Sequence, residues 1–364
     1  MRTVCEINEC NGCMACNDAC PKGCISIKDN MNHFNAVIDE KKCINCGYCE
    51  RICPNLSKVE KLKPILWKQG WAEPDIRKSS SSGGAATSLI SMFINSGGYV
   101  ASCMFDDGEF VFDITNNMEF AKHFSGSKYV KTNPKGIFKK IRQQLETNDV
   151  LFIGLPCQVA ALKNFVNDHE RLYTVDLICH GTPSSKLLDI FLTDNNINIK
   201  NVKDIKFRDN NNMGLIIDGN KLTSRREIDN YLCAFLEATD YTLNCYHCHF
   251  ASLNRVSDIT LGDSWGSNLK REMNDGISLI LVQTHKGELL LNKSNMFLKD
   301  VNLDVAIKNN HQLTEPSKIS YRRNVFFKAI KQGESFQKAT FLALPKLVIK
   351  QKIKRILTLL HILS

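Results

Sequence analysis

The stretch that decides the fold is Cys10-Asn11-Gly12-Cys13-Met14-Ala15-Cys16-Asn17-Asp18-Ala19-Cys20-Pro21, which returns as Cys43-Ile44-Asn45-Cys46-Gly47-Tyr48-Cys49-Glu50-Arg51-Ile52-Cys53-Pro54. Both copies read C-x2-C-x2-C-x3-C-P, and the second follows the first by 33 residues. Three cysteines at two-residue gaps wrap a tight loop around one compact centre. The fourth sits one helical turn further on and points toward the neighbouring centre. The proline after it lacks an N–H and fixes the turn. Gly12 and Gly47 are expected to hold the backbone close to the sulfur atoms. Zinc asks for four ligands in separated pairs, so eight thiols in this doubled register do not read as zinc knuckles.

The run resembles that of bacterial two-cluster ferredoxins. The crossed geometry predicts Cys10, Cys13, Cys16 and Cys53 around one 4Fe–4S cluster, and Cys43, Cys46, Cys49 and Cys20 around the other. Residues 1–57 are therefore expected to be a small α+β bacterial-type ferredoxin domain, an electron conduit that binds no substrate. Cys5 and Cys24 fall outside the pattern and read as small buried apolar residues.

Outward from that repeat lie 364 residues, enough for two or three cores. Hydrophobic content of 43% and charged content of 23% exclude a disordered or collagen-like chain. No apolar run reaches the ~18 residues of a spanning helix. Met1–Glu6 has no apolar signal region, so a cytoplasmic setting is expected, where the sixteen cysteines are not disulfides. The formal charge is +9. From Ser317 onward there are eleven Lys or Arg against the single acid Glu334, so the end of the chain carries +10 and the rest is close to neutral. That balance leaves no nucleic-acid footprint on the body.

After the repeat, residues 58–78 are charged, contain Pro64 and Pro74, and read as a linker. Ser79-Ser80-Ser81-Ser82-Gly83-Gly84 then precedes an apolar-periodic helix that stops at Gly97-Gly98. Strand signals over Tyr99–Phe105, Val150–Leu155 and Leu172–Cys179 alternate with helical ones over 134–145, 158–165 and 183–192. Residues 196–233 read as irregular strands with Asn-rich turns, and Ile259–Leu261 and Ser278–Thr284 continue the domain. The alternation predicts an α/β body, a mixed sheet with flanking helices. The expected divisions are 79–165, 166–316 and a basic helical tail over 317–364.

Seven blocks between residues 79 and 290 carry a second resemblance. They are Ser81-Ser82-Gly83-Gly84, Gly126-Ser127-Lys128-Tyr129-Val130, Gly154-Leu155-Pro156-Cys157-Gln158, Cys179-His180-Gly181-Thr182-Pro183-Ser184, Lys206-Phe207-Arg208-Asp209, Cys245-Tyr246-His247-Cys248 and the run Ser257–Gly266 containing Gly262-Asp263-Ser264-Trp265-Gly266. In this order they resemble the beta subunits of coenzyme F(420)-reducing hydrogenase and F(420)-linked formate dehydrogenase. Asn210-Asn211-Asn212-Met213-Gly214-Leu215 departs from that pattern, lacking the Trp often found after the Gly.

The resemblance implies a catalytic body that holds FAD and at least one 4Fe–4S cluster. It would move single electrons through clusters and hydride to or from a soluble carrier; a flavin converts between the two. Ser81, Ser82, Gly83 and Gly84 offer amides and a helix N-terminus to the pyrophosphate. Ser127 and Lys128 would add amides and a cation, and Tyr129 an aromatic face. No G-x-G-x-x-G follows a strand, so a Rossmann nicotinamide site has no support. Cys157 and Cys179 each end a predicted parallel strand, where α/β ligands collect. With Cys245 and Cys248 they could close a third 4Fe–4S site; a zinc site with His247 or His249 and separate structural thiols are the alternatives. Cys103 and Cys233 read as core. His180, with an ordinary pKa near 6.5, is the candidate for moving a proton, or else a structural histidine. Arg208 and Asp263 would contact an anionic substrate or simply pair.

Over 346–363, Ile349, Ile353, Ile356, Leu357, Leu360 and Leu363 recur at helical spacing beside Lys350, Lys354 and Arg355. Such a stripe lies on an anionic membrane, or packs on its own domain or a partner subunit. Three functions then compete. One is an iron–sulfur flavoprotein oxidoreductase passing electrons between a ferredoxin-like or other redox protein and a hydride carrier or small-molecule substrate. The second is a non-catalytic electron-transfer subunit of a larger complex, and the third a protein using clusters structurally.

Overall fold

The computed structural model describes residues 1–209, 212–224 and 226–360. Asn210 and Asn211 of the Asn-rich turn and Leu363 of the C-terminal stripe lie outside the described residues.

In the N-terminal domain the sequence repeat is also a backbone repeat. Ala15–Ala19 and Tyr48–Ile52 are five-residue helices, each entered through a left-handed residue, Met14 (φ 61°) or Gly47 (φ 68°). Each ends on the fourth cysteine of its run, Cys20 or Cys53, both at φ −68°. Two residues before the entry, Gly12 (φ 67°) and Asn45 (φ 55°) are left-handed as well. A Cβ on Gly12 or Gly47 would meet its nearest neighbours at an ordinary 3.6 Å. Both glycines supply a positive φ to the loop that leads into each helix. Strands β1 (Ile25–Asp29) and β2 (Phe34–Ile38) pair as an antiparallel hairpin beside the helices.

The body is one eight-stranded mixed sheet. Its members are β3 (Leu66–Ala72), β4 (Tyr99–Asp106), β5 (Glu109–Thr115), β6 (Val150–Gly154), β7 (Leu172–Leu177) and three later strands. Between these groups β8 (Ile205–Asp209), β9 (Asn212–Ile217) and β10 (Asn220–Lys221) form a separate small sheet. The later members are β11 (Ile259–Asp263), β12 (Ser278–Val282) and β13 (Met296–Lys299), and the order is β13-β3-β12-β11-β7-β6-β4-β5. The central run β11-β7-β6-β4 is parallel, and the flanking pairs are antiparallel.

Strands β6 (VLFIG) and β12 (SLILV) are buried along their whole length, as strands covered on both faces must be. On one face Leu151 and Ile153 meet Leu89 and Ile90 of helix Ala85–Asn95 and Leu290 of helix His285–Asn292. On the other, Val150 and Phe152 meet Phe138 of helix Ile137–Gln144 and Val159 and Leu162 of helix Pro156–Val166. The alternation follows from the two-residue period of a strand.

Three expectations are corrected here. The span 58–78 is not merely a linker, because Leu66–Ala72 forms β3, hydrogen-bonded between β12 and β13; its Lys68, Gln69 and Gly70 hid the strand signal. The boundary at 165/166 separates nothing in the fold, since β6 and β7 pair directly across it. Residues 230–236 are a helix, capped by the Asp229 side chain, and not irregular strand.

The N-terminal domain is welded to the body. Cys13, Ala15, Ala19 and Ile52 belong to the main core. The Gly136 N–H donates to both Asp18 carboxylate oxygens at 2.8 and 3.0 Å. Asn164 donates to the Ser57 carbonyl at 3.1 Å, and the Leu243 N–H to that of Asn32 at 2.9 Å. The basic tail forms helices Tyr321–Lys331, Phe336–Ala343 and Pro345–Leu359. The first two bury Phe326, Phe327, Phe336 and Ala339 in the main core.

Candidate functional site

Cys10, Cys13, Cys16 and Cys53 line one cavity, and Cys20, Cys43, Cys46 and Cys49 line another. Each fourth cysteine thus joins the other run's triplet, the crossed pairing expected from its position one helical turn on. The Gly12 N–H donates to the Cys10 sulfur at 3.4 Å and the Cys24 N–H to that of Cys20 at 3.4 Å. Such N–H···S contacts suit a thiolate-held group, and eight soft donors in two sets of four fit two iron–sulfur cubanes. Among the described residues, no three Cys, His, Asp or Glu side chains close on a single ion-sized point.

The two cavities differ in burial. All four cysteines of the first are buried, at 6 to 8% exposure. In the second Cys46 is exposed and the other three are half-buried. Cys5 and Cys24 are buried as expected, but each lines a cavity. The Cys24 sulfur lies 3.3 Å from that of Cys20.

A third thiol set forms at the carboxyl ends of β6 and β7. Cys157 opens helix Pro156–Val166, Cys179 follows β7, and Cys245 and Cys248 come from a 3-10 turn, Leu243–His247, and its cap. Burial pushes the Cys157 thiol up to about 12, opposed by Lys131 and helped by Cys248 and Cys245. Burial also raises Cys179, with Cys245, Cys157 and Cys248 adding to it. The four are close enough to repel one another as thiolates, and Cys157 acts in the same way on Cys13 of the first set. His249 is turned to other work, with its carbonyl accepting from Lys61 and its ring packed on Phe250.

Lys131 lies between the first and third sets. Burial opposes its charge, but Cys245, Cys157, Cys179 and Cys10 outweigh that and hold its pKa above the ordinary lysine value. Its Nζ donates to the Asn11 carbonyl at 3.2 Å. Sequence reasoning passed over Lys131; a lysine directly after the Gly126–Val130 block was the available signal.

Beside the third set opens a cavity of about 260 Å³, hereafter the main cavity because it joins the thiol set to the carboxyl ends of the strands. The carboxyl ends of β6, β7 and β11 border it through Gly154, Leu155, Cys179, His180 and Asp263, where ligands of α/β sheets collect. Helix Ala85–Asn95 points its N-terminus at it. Gly84 (φ 83°) opens that helix, no side chain caps it, and Ala85, Ala86 and Thr87 line the cavity. Uncapped N–H groups at a helix start attract an anion. The Ser127 N–H donates to Ser81 Oγ at 2.9 Å, so two segments predicted to share a ligand are in contact. Ser82 and Lys128 also line the space. Gly83 does not: a Cβ there would lie 2.5 Å from the Gly70 carbonyl and the Ser278 N–H, so its role is close packing on β3 and β12.

Lys128 Nζ donates to the carbonyls of Phe124 and Ser125 at 2.8 and 2.7 Å. Burial pushes its pKa down to about 8, against the pull of Cys103 and Asp204. The Tyr129 ring stacks on Phe235 at 4.6 Å and borders the cavity. Cys103 is buried yet also lines it, whereas Cys233 is core. Arg208 and Asp263 form a two-pronged pair at 2.9 and 3.0 Å, and Arg208 Nε, buried, has no partner among the described residues.

The His180 side chain is exposed, and it lines the cavity. Desolvation by the atoms packed around its ring and the His311 ring push its pKa down, against the pull of Asp263. Gln312 Nε2 sits 2.9 Å from His180 Nδ1 and 2.7 Å from His311 Nε2. With the amide donating to it, His180 accepts at Nδ1 and carries its ring proton on Nε2. It is a hydrogen-bond donor, not an acid poised at 6.5. No sequence motif announced Gln312, 132 residues away.

Comparisons agree with this architecture. Residues 9–56 match the model of the 4Fe–4S dicluster domain. Residues 147–299 match that of the C-terminal part of the coenzyme F(420) hydrogenase/dehydrogenase beta subunit. A chain in a structure of the F(420)-reducing nickel–iron hydrogenase complex from Methanosarcina barkeri superposes with a TM-score of 0.52. It is 18% identical and covers 76% of this chain and 96% of that one, a likeness of fold. A segment of 54 residues is 43% identical to a component of the ion-translocating oxidoreductase complex of Methanosarcina acetivorans, 15% of this chain and 19% of that protein. Another of 71 residues is 31% identical to a ferredoxin-like protein in the nif region of Nostoc, 18% of this chain and 58% of that one. The chain thus spans about a fifth and somewhat over half of these two curated relatives.

Fold and thiol sets together define a mixed α/β body preceded by an N-terminal domain of the 4Fe–4S dicluster kind. More particularly, the chain joins a segment that matches the 4Fe–4S dicluster domain to a body whose residues 147–299 match the C-terminal part of the coenzyme F(420) hydrogenase/dehydrogenase beta subunit. Among the described residues no helix is long and apolar enough to cross a membrane.

Proposed function

We propose that the chain is an iron–sulfur flavoprotein oxidoreductase that passes electrons between a ferredoxin-like protein and a hydride acceptor. One observation carries this reading: three sets of four cysteines run in series from the exposed Cys46 to the cavity that Cys179 borders. Cys20, Cys43, Cys46 and Cys49 would hold the outer cluster, Cys10, Cys13, Cys16 and Cys53 the inner one. Cys157, Cys179, Cys245 and Cys248 would hold a third.

FAD would occupy the main cavity and supply the conversion between single electrons and hydride. The amides of Ala85 to Thr87, the Ser81–Ser127 contact and Lys128 suit its pyrophosphate. Tyr129 and Phe235 offer an apolar stack. The unpartnered Nε of Arg208 and the Nε2 proton of His180 would orient a polar edge of flavin or substrate. Lys131 holds a positive charge between the inner and third sets and favours the arrival of electrons there.

The relatives' own names favour a second reading, in which this chain serves a larger complex, since two of them are described as belonging to complexes. Anaerobic purification with iron, sulfide and flavin counted per chain tests the assignment. About twelve irons and one FAD are expected; about eight irons and no flavin would remove the cofactors from the body. Turnover of a soluble acceptor by the isolated chain then separates an enzyme from a component that works only within a complex.

A further inference from the structure

The last helix, Pro345–Leu359, attaches by one edge only. Leu344, Val348 and Gln351 are buried, and the Gln351 amide oxygen accepts from the Ile228 N–H. At 100° per residue, Ile349, Ile353, Ile356 and Leu360 fall on the opposite side, within about 60° of one another. They are 47, 51, 56 and 61% exposed. The stripe therefore does not pack on its own domain, one of the outcomes its spacing allowed. Phe341 and Leu342 of the preceding helix, 41 and 49% exposed, extend it, and Lys352 Nζ lies 6.0 Å from the Phe341 ring.

Charge identifies what covers this face. The helix contains no acid and five bases, Lys346, Lys350, Lys352, Lys354 and Arg355. On the helical wheel Lys346 and Lys350 flank the stripe on one side and Lys352 on the other. An apolar stripe with lysines along both margins suits the boundary between acyl chains and anionic headgroups, where lysine stems lie along the apolar face and ammonium groups reach phosphate. A protein partner would have to match apolar stripe and cationic margins at once.

We propose that this face docks the protein peripherally on an anionic lipid surface, with the Ile349–Leu360 stripe lying in the interface plane. The docking is independent of the redox reading above. It is tested by flotation of the full chain with vesicles of phosphatidylcholine alone and of phosphatidylcholine with phosphatidylglycerol. The chain is expected to float with the anionic vesicles, to stay behind with neutral ones, and to be released by high salt. Ile353→Glu/Ile356→Glu, at exposed positions, should abolish flotation and leave iron content unchanged. Each of Lys346→Gln, Lys350→Gln and Lys352→Gln should weaken binding about fivefold. Failure to float, or equal binding to both vesicle types, overturns the proposal. So does self-association abolished by Ile353→Glu/Ile356→Glu in a chain that never floats, which would assign the face to a second copy.

Discussion

The two cysteine runs have one sequence pattern and one backbone but opposite surroundings. The inner set, completed by Cys53, is buried beside the body and interacts with Cys157. The outer set, completed by Cys20, presents Cys46 and the apolar Ile44 to solvent. The difference originates one turn away from the ligands. Ile52 in the second helix is 1% exposed and joins the body's core, and Asp18 in the first is bonded to Gly136. A motif fixes how a loop wraps its centre; docking decides which centre faces a partner and which faces the interior.

The largest expected contrast is between Cys13→Ser and Cys46→Ser. Both should lose about four irons. Only Cys13→Ser should also lower thermal stability by several degrees, about 3 kcal/mol, because Cys13 lies in the main core. Stopped-flow bleaching would separate them further: dithionite should still reduce the flavin in Cys46→Ser, whereas a reduced protein donor should not. Identical behaviour would break the inner–outer distinction. Next comes Ile52→Ala, expected to cost about 2–4 kcal/mol in denaturant unfolding through the cavity it leaves. Ile44→Ala, at 57% exposure, should stay within about 0.5 kcal/mol.

How much of this was legible depended on sequence distance. The ferredoxin runs could be read because all eight thiols lie within 44 residues and their geometry is local. The third set was approachable only because Cys157 and Cys179 end strands, and parallel strands bring their carboxyl ends together. Strand β3 was hidden because Lys68, Gln69 and Gly70 look like linker, although Gln69 is buried and bonded to Ser264 and to the Asp300 carbonyl. The Gln312 clamp on His180 and His311 was beyond reach, since one amide between two rings leaves no periodicity and no spacing. Gly83 was assigned to ligand binding because a glycine in a Ser/Gly run looks the same whether it lines a cavity or lets two strands approach.

Lys131 sharpens the comparison from the other side. Its largest electrostatic partners are Cys245, Cys157, Cys179 and Cys10, all of the inner and third sets. Lys131→Met removes a cation that stabilises added electrons, so potentials near it should fall by about 60 mV, a tenfold change in a one-electron equilibrium. The outer set should hold its value. Redox titration followed by paramagnetic resonance reads both in one sample, and an equal shift in all signals would show that the cation acts diffusely.

The smallest effect concerns the cavity and has two opposite slopes. Burial holds the Lys128 amine at about 8, below the lysine value of 10.5. Between those two values the unfolded chain carries a proton that the folded, flavin-free chain does not. Stability of the flavin-free protein should therefore rise with pH over that window, and the penalty for the buried charge is fully present below 8. Affinity for a phosphate-bearing flavin should run the other way. The ammonium, with two N–H groups spent on the Phe124 and Ser125 carbonyls, has one left for an anion. Deprotonation removes that charge-assisted bond, so flavin dissociation should increase about tenfold as pH rises past 8. Bound phosphate itself favours the proton, which moves the midpoint somewhat higher. Quenching of flavin fluorescence gives one slope and thermal unfolding of the flavin-free chain the other. Lys128→Met should flatten both, whereas an affinity that stays pH-independent in the unaltered chain would remove Lys128 from the phosphate site.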